Sequence, residues 1–505
     1  MTGRCLIGFD IGTSSCKATL MTAEGSLVAE ASQRYPERRS RDGASERPAP
    51  DFWDAVCGLS RRLRDDHEAA MRNVAACGVA GQMRGVVCLD GDGEPVRPVI
   101  LWNDNRCHRQ LERIGDADAT AIRAATRNPL NTMCTLPKLM WMRDEEPELL
   151  HRTATVLFPK DYVNLRLAGA VSTDVSDASG SSLYLPDTGG WSADLAARAG
   201  MTVNRLPTIR ASCERIGSVT DRASAETGIP AGVPVAAGMS DATAEMLALG
   251  ITEAGVAKVR LGTSGAISVI ADSLPPAGAA VYCWSFLDER RWMLDTNTRS
   301  CAASVDWARR VLYSEIVSGD EAYGRMASEA AGVAPGAEGM IFRPHLGGED
   351  APYWDPGLTG SFVGIAPSHG RAALTRAVYE GTAFALREAL EASAAGLGSP
   401  REFRFTGGGA RNPVWLSILA AVLGVGGITG QAGGASLGAA LCAGVAGGVF
   451  ADAAEAGRIA VRLGGTEIEP DPALQRAYES AYARYRETPP ARNSADLGGE
   501  GRHQR

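Results

Sequence analysis

A short phrase that occurs twice constrains the fold of this chain more than any other feature. Near the start the sequence reads Phe9-Asp10-Ile11-Gly12-Thr13-Ser14-Ser15-Cys16-Lys17. About half a chain later it reads Val259-Arg260-Leu261-Gly262-Thr263-Ser264-Gly265. In both places a β-branched run enters a Gly-Thr-Ser turn and a second apolar run leaves it, the pattern of strand, tight polar turn and strand. Glycine lets the backbone approach a ligand closely, and successive N–H groups with hydroxyls form a nest for phosphate oxygens. Two such turns, each opening one half of the chain, point to a duplicated α/β fold with a phosphate held between the halves. At 505 residues the chain is too long for one ordinary core, so two or more domains are expected.

Charge and composition exclude several classes. The net charge of −8 and the lack of a basic stripe argue against a nucleic-acid partner. The arginines between Arg34 and Arg47 are diluted by Glu37, Asp42 and Glu46 and read as an exposed loop. The 11 cysteines are scattered without a C-x-x-C pair, and the six histidines lack ligand spacing. A structural zinc site is not expected, and reduced thiols in the cytosol are. The first residues run directly into a strand with no leader pattern, so a cytoplasmic location is expected. Asn412 to Ala451 contains no Asp, Glu, Lys or Arg, but Gly424, Gly426, Gly427, Gly430, Gly433 and Gly434 interrupt it. It reads as two buried helices, Ile418 to Leu423 and Ser436 to Val445, joined by a glycine-rich strand and turn rather than as a membrane span.

The rest of the chain follows an α/β outline. Strands are expected at Arg4–Phe9, Cys16–Thr22, Leu27–Gln33 and Val74–Ala80, with a helix over Asp51–Asp66. The second half repeats the outline with strands Val256–Val259 and Ala266–Ile270, helices Ser304–Leu312 and Leu374–Ala394, and a strand Phe403–Phe405. Leu206–Asp241, rich in Gly and Pro, is expected to link the halves and hold a hinge. Arg486 to Arg505 is polar, contains Pro489-Pro490 and reads as a disordered tail.

Three places carry chemistry. Asp10, at a strand end beside a phosphate nest, suits Mg²⁺ held directly or through water. Thr13, Ser14 and Lys17 add hydroxyls, amides and charge for a polyphosphate. Asp241 ends the small-residue strand Val235 to Ser240 and precedes a helix, Thr243–Leu249. There it can accept a proton from an attacking hydroxyl, or serve as a helix cap. Thr406-Gly407-Gly408-Gly409-Ala410-Arg411-Asn412-Pro413 opens a helix, and its glycines permit close approach of adenine or ribose, without the dinucleotide spacing.

Together these residues resemble the FGGY family of carbohydrate kinases, within the group sharing the actin and hexokinase ATPase fold. One family signature matches Met133-Cys134-Thr135-Leu136-Pro137-Lys138-Leu139-Met140-Trp141-Met142-Arg143-Asp144-Glu145. A second is carried by Gly360-Ser361-Phe362-Val363-Gly364-Ile365 and by Arg376 to Gly381, departing at Ala373. Within the family, Ala80-Gly81-Gln82-Met83, Ile100-Leu101-Trp102-Asn103-Asp104, Phe158 to Tyr162 and Ser172 to Gly180 are similar to the xylulokinase (pentulose kinase) subgroup.

The resemblance implies two duplicated actin-like, ribonuclease H-like domains with a cleft between them. A sugar-binding domain would span residues 1–240, a nucleotide-binding domain 241–487, and a tail 488–505. It implies phosphorylation of a sugar hydroxyl by ATP with Mg²⁺, most simply of a ketopentose such as D-xylulose to D-xylulose 5-phosphate. Asp241 would be the general base. Asp10, Gly12, Thr13, Ser14 and Lys17 would face the transferred phosphate, and Asp10 the metal. Gly262 and Thr263 would face the nucleotide phosphates, and Gly407, Gly408, Gly409 and Asn412 the nucleoside. Gln82, Met83, Arg84, Trp102, Asn103, Asp104, Asp241 and Ala242 would line the sugar site. Domain closure would exclude water. A homodimer is compatible with the family, and no membrane or nucleic-acid partner is expected.

Three positions depart from the subgroup. Arg84 stands where His is usual, Ala242 where Asn is usual, and Asp350 follows Glu349 where Arg-Thr is common. Three acceptor classes stay open: D-xylulose read by other contacts, another ketose or polyol, or a sugar acid whose carboxylate pairs with Arg84. Arg84 turned away in a salt bridge is the structural alternative. Trp284, Trp307 and Trp354 read as core or wall. Other classes on the same fold are a non-catalytic sugar- or nucleotide-binding protein, or a chaperone-type or filament ATPase.

Overall fold

A computed structural model of the chain describes residues 3–36, 43–279, 281–393, 400–429, 434–462 and 464–492. The Arg34–Arg47 loop expectation falls partly, and the tail expectation from residue 493 onward wholly, outside these residues. The chain forms two compact units. The first comprises Met1–Glu253, Ile270–Met293 and Gln431–Gly464, and the second Ala254–Val269, Leu294–Gly430 and Gly465–Arg505. The first unit thus takes in segments from beyond residue 241 as well as the N-terminal half.

The first unit is built on a mixed sheet. Cys5–Ile11, Ser15–Thr22 and Leu27–Arg34 form an antiparallel meander. Val74–Gly81 pairs in parallel with Cys5–Ile11, and Pro234–Ala236 in parallel with Val74–Gly81. All seven residues of Cys5–Ile11 are buried, as a strand covered on both faces requires. Alternation divides them. Ile7, Phe9 and Ile11 share a core with Phe52, Val56 and Leu59 of the helix Ala49–Asp66. Gly8 lies on the other face, and Asp10 shares that face by the period of two.

That other face explains the uncharged, glycine-rich segment. The helix Gly434–Ala446 lies so close to the sheet that a Cβ on Gly8 would sit 2.1 Å from Ser436 O, and one on Gly78 2.2 Å from Ala439 O. Gly8 and Gly78 are direct partners in the parallel ladder, so they make one flat patch beneath the helix. Ser436 and Thr19 share a buried hydroxyl–hydroxyl bond of 2.7 Å. Among the described residues no helix is long and apolar enough to cross a membrane.

Leu206–Asp241 is no linker. It supplies Arg215–Ser218, Pro234–Ala236 and Met239–Ser240 to the first sheet and the helix Asp221–Thr227 beside it. Gly228, Pro230, Gly232 and Gly238 sit in the turns between these short elements, while Gly217 and Pro234 lie within the strands.

The second unit repeats the outline. Val256–Leu261 pairs antiparallel with the strand that begins at Gly265 and parallel with Glu402–Thr406. Gly427–Thr429 pairs in parallel beyond, and Glu467–Ile468 antiparallel at the edge. The helices Arg371–Ser393 and Pro472–Glu487 meet through Phe384, whose ring lies 5.4 to 6.0 Å from those of Tyr478, Tyr482 and Tyr485. The structured chain continues past residue 488, because Ala491–Arg492 pairs with Leu358–Thr359.

Candidate active site

In the first unit, register brings the expected residues together. Ile11 and Ser240 both face Gly81 across parallel pairings. Gly12, Gln82 and Asp241 therefore leave the carboxyl edge of the sheet side by side, where open α/β sheets place their ligands. The Gly12 turn is closed by its N–H donating to Ser15 O at 3.1 Å. Gln82 holds that turn: its N–H donates to Ile11 O at 2.9 Å, and its Nε2 to Gly12 O at 3.0 Å. Thr13 Oγ1 donates to Gln82 Oε1 at 3.4 Å and accepts from Trp102 Nε1 at 2.8 Å. Ser14 and Lys17 are exposed, and Lys17 is the ladder partner of Asp10.

Asp241 is the first residue of the helix Asp241–Ala248, not its cap. The cap is Ser240, whose Oγ accepts from Thr243 N at 3.3 Å. The Asp241 carboxylate accepts from the Ala242 N–H at 2.8 Å and is half-buried, as is Ala242. Asp10 is 9% exposed, and its Oδ1 is buried without a hydrogen-bond partner. Burial first, then the Asp241 carboxylate, push the Asp10 carboxyl up to about 7, with Lys17 pulling it down and Glu245 pushing it up. Glu245 escaped the sequence reading, although its place four residues after Asp241 puts both on one helix face.

A buried cluster supports this edge. Lys160 Nζ contacts Asp161, lies 3.0 Å from Asp174 and 3.9 Å from Asp177, and all four side chains are fully buried. Burial pushes the Asp177 carboxyl well up, against the pull of the Lys160 ammonium. Ser176 Oγ donates to Asp174 at 2.6 Å and accepts from the Ser240 N–H at 2.9 Å, which ties the cluster to the residue before Asp241.

The other expected sugar-site residues separate into two groups. Met83 and Arg84 are buried. Arg84 has a left-handed backbone, with φ of 66°. Its carbonyl accepts from Thr135 Oγ1 and Lys138 Nζ, each at 3.3 Å. Burial is the main cause holding the Lys138 ammonium down to about 8. The salt-bridge alternative fails, since Arg84 has no ion pair among the described residues. Asp104 is buried, but its oxygens are engaged by the Ser45 N–H at 2.8 Å and by Arg106, so it braces its loop, while Asn103 and Trp102 are exposed.

In the second unit the glycine turns line one cavity of about 660 Å³, bounded by Gly262, Thr263, Gly408, Gly409 and Asn412. The N–H groups of Cys301, Ala302 and Ala303 close on the carbonyls of Gly262 and Thr263 at 2.8 to 3.1 Å. Gly407 has φ of 88°, and a Cβ there would lie 2.7 Å from Leu261 O. A Cβ on Gly408 meets nothing within 4 Å, whereas one on Gly409 would lie 2.4 Å from the Trp415 ring. Asn412 caps the helix Pro413–Leu423 and donates to Tyr379 OH at 3.0 Å, so it shapes the wall with its side chain already engaged. Asp320, Tyr323, Gly324 and Ala327 form a further wall. Their helical spacing was legible only once the helix Gly319–Ala331 was known to face the cavity. The departure at Asp350 is tied to Arg299 through a 2.7 Å ion pair.

The donor set fits a divalent cation only in part from protein. Among the described residues no cluster of three or more His, Cys, Asp or Glu could hold a metal. The orphaned Asp10 oxygen is the fitting group, with phosphate oxygens supplying the rest, as magnesium favours.

A model of the N-terminal domain of the FGGY family of carbohydrate kinases matches residues 5–248, and one of its C-terminal domain matches residues 257–447. The xylulose kinase of Escherichia coli K12 is 32% identical over 419 residues, 83% of this chain and 84% of that protein. The structure of a xyloylose kinase from Brucella ovis superposes with a TM-score of 0.88 at 32% identity, covering 96% of this chain and 98% of that one. A gluconate kinase from Lactobacillus acidophilus superposes at 0.87 with 26% identity, covering 96% and 97%. The duplicated actin-like α/β fold expected from the sequence agrees with these neighbours.

Proposed function

Because the chain belongs to the FGGY family of carbohydrate kinases, enzymes that phosphorylate sugars with ATP, we propose that Asp241 is its general base. The observation carrying this reading is the shared strand edge from which Gly12, Gln82 and Asp241 emerge. Asp241 takes the proton of the acceptor hydroxyl as its oxygen bonds to the γ-phosphorus, and the bond to the ADP oxygen breaks. ATP, when bound, supplies the γ-phosphoryl group. Asp10 would hold Mg²⁺, and its unpartnered oxygen and raised carboxyl supply the reason: a cation restores the charged form that burial opposes.

Thr13 is held by Gln82 and Trp102 so that the turn keeps its amides aligned for phosphate, and Lys17 adds a positive charge opposite Asp10. The cavity beside Gly408 and Gly409 is of a size that suits a nucleoside. The relatives' names support two acceptor classes, a ketopentose such as D-xylulose, giving D-xylulose 5-phosphate, and a sugar acid such as gluconate. Arg84 and Ala242, which depart from the usual residues of the resembled subgroup, bear on the choice between them.

The test is Asp241→Asn in a coupled ADP-release assay. The expected result is a kcat lower by about 10²- to 10⁴-fold with ATP binding retained. Near-normal turnover in the variant sinks the assignment.

A further inference from the structure

Arg84 is buried in an arrangement that leaves its charge unanswered. Left-handed backbone is disfavoured for a residue with a side chain. Here Thr135 and Lys138 hold it by bonding the Arg84 carbonyl, and Lys138 also donates to Met133 O. The result is an arginine only 7% exposed. Its guanidinium carbon lies 5.2 Å from the Tyr282 ring centre and 5.5 Å from that of Trp284. Those rings stack on each other at 5.5 Å with planes 17° apart.

The hydrogen-bonding demand is not met. Nη1 reaches only the weak acceptor Met133 Sδ, at 3.9 Å. Nε has no partner, and neither does the buried indole Nε1 of Trp284. Stacking on aromatic faces offsets part of the cost of burying a cation, but it leaves the N–H donors without acceptors. A group that meets these donors must carry acceptor oxygens. A carboxylate supplies two in the plane that matches a guanidinium fork, together with the opposite charge. Arg84 follows Gln82, which holds the Gly12 turn, by two residues, so this donor pair belongs to the acceptor end of the first unit.

We propose that Arg84 and Trp284 form a carboxylate subsite and that the acceptor is a sugar acid, an aldonate or ketoaldonate. This rests on the kinase reading above. Sugar acids and their neutral counterparts, in which CH₂OH replaces the carboxylate, are compared as acceptors by ADP release, with D-xylulose and polyols alongside. The expected result is a kcat/KM for the best acid at least about tenfold above its neutral counterpart, the scale of one charged hydrogen bond. Arg84→Gln lowers that acid-to-neutral ratio at least about tenfold, chiefly through KM, and Arg84→Lys retains part of it. Quenching of tryptophan fluorescence by the acid without ATP, lost in Arg84→Gln, reads the subsite apart from turnover.

If the wild-type enzyme prefers D-xylulose to every acid, the carboxylate subsite is overturned while the kinase reading stands. The same holds if Arg84→Gln leaves the ratio unchanged. Transfer to none of the acceptors, neutral or acidic, overturns both.

Discussion

Gly438 is the position where packing most directly sets the place of Asp241. It lies in the helix Gly434–Ala446, against the helix headed by Asp241. In Gly438→Ala the new methyl group would lie 2.0 Å from Ala244 O, 2.6 Å from its carbonyl carbon and 2.8 Å from its Cα. Ordinary contact begins at 3.4 Å, so the two helices must part by about 1.4 Å. The obstacle is backbone and cannot be relieved by a rotamer change. Overpacking of this kind costs about 1–3 kcal/mol. Displacing a reacting group by about 1 Å costs about 100-fold in rate.

The expected outcome is a kcat lower by about two orders of magnitude, with KM for ATP unchanged. The ATP result follows because the glycine-lined cavity of the second unit contains neither helix. Coupled ADP release gives the kinetic constants, and urea unfolding gives the stability loss. Gly370→Ala is the control, since a Cβ there meets nothing within 4 Å. A Gly438→Ala enzyme that is less stable but turns over normally would refute the reasoning: the helix would have moved without any effect of Asp241 on turnover.

Two further outcomes follow from charge. Between 3.8 and about 7 the folded chain holds a proton on Asp10 that the unfolded chain has released, so stability falls as pH rises through this range. Asp10→Asn removes a cost of up to about 4 kcal/mol at pH 8, gives no gain near pH 3.5, and abolishes transfer. Urea unfolding at several pH values checks the sign, and an unchanged pH slope contradicts the burial argument. Ser176→Ala strands the buried Ser240 N–H, while Asp174 Oδ2 keeps its bonds from the Ser176 N–H and Ser212 Oγ. That costs about 1–3 kcal/mol and lowers kcat about tenfold, and Ser176→Thr restores both. Equal kcat in the alanine variant would show that Asp241 needs no support from the buried cluster.

Much of the site was legible because its chemistry is local. A Gly-Thr-Ser turn between apolar runs specifies its own geometry, and Gly12 and Gly262 occupy the turns expected of them. The uncharged stretch after Asn412 was readable as buried helix because its glycines break a membrane span, and Gly8 and Gly78 supply the flat surface that receives it. The dense Gly and Pro of Leu206–Asp241 suggested a link between halves, whereas the segment builds short strands and a helix of the first unit. Asp241 read equally well as cap or base, and the Ser240 hydroxyl on Thr243 N shows that the cap is Ser240.

By itself, the order of residues along the chain determined the two Gly-Thr-Ser turns, the α/β class and the family likeness. Each rests on neighbours in sequence whose backbone preferences and alternation are set within a few residues. Tertiary structure alone decided what surrounds them. Tyr282 and Trp284 reach Arg84 across about 200 residues, and the charge of Glu245 acts on Asp10 from the helix Asp241–Ala248, far along the chain. No local pattern encodes such meetings. They arise from strand register and close packing, and they decide the charge of Asp10 and the donors that Arg84 offers.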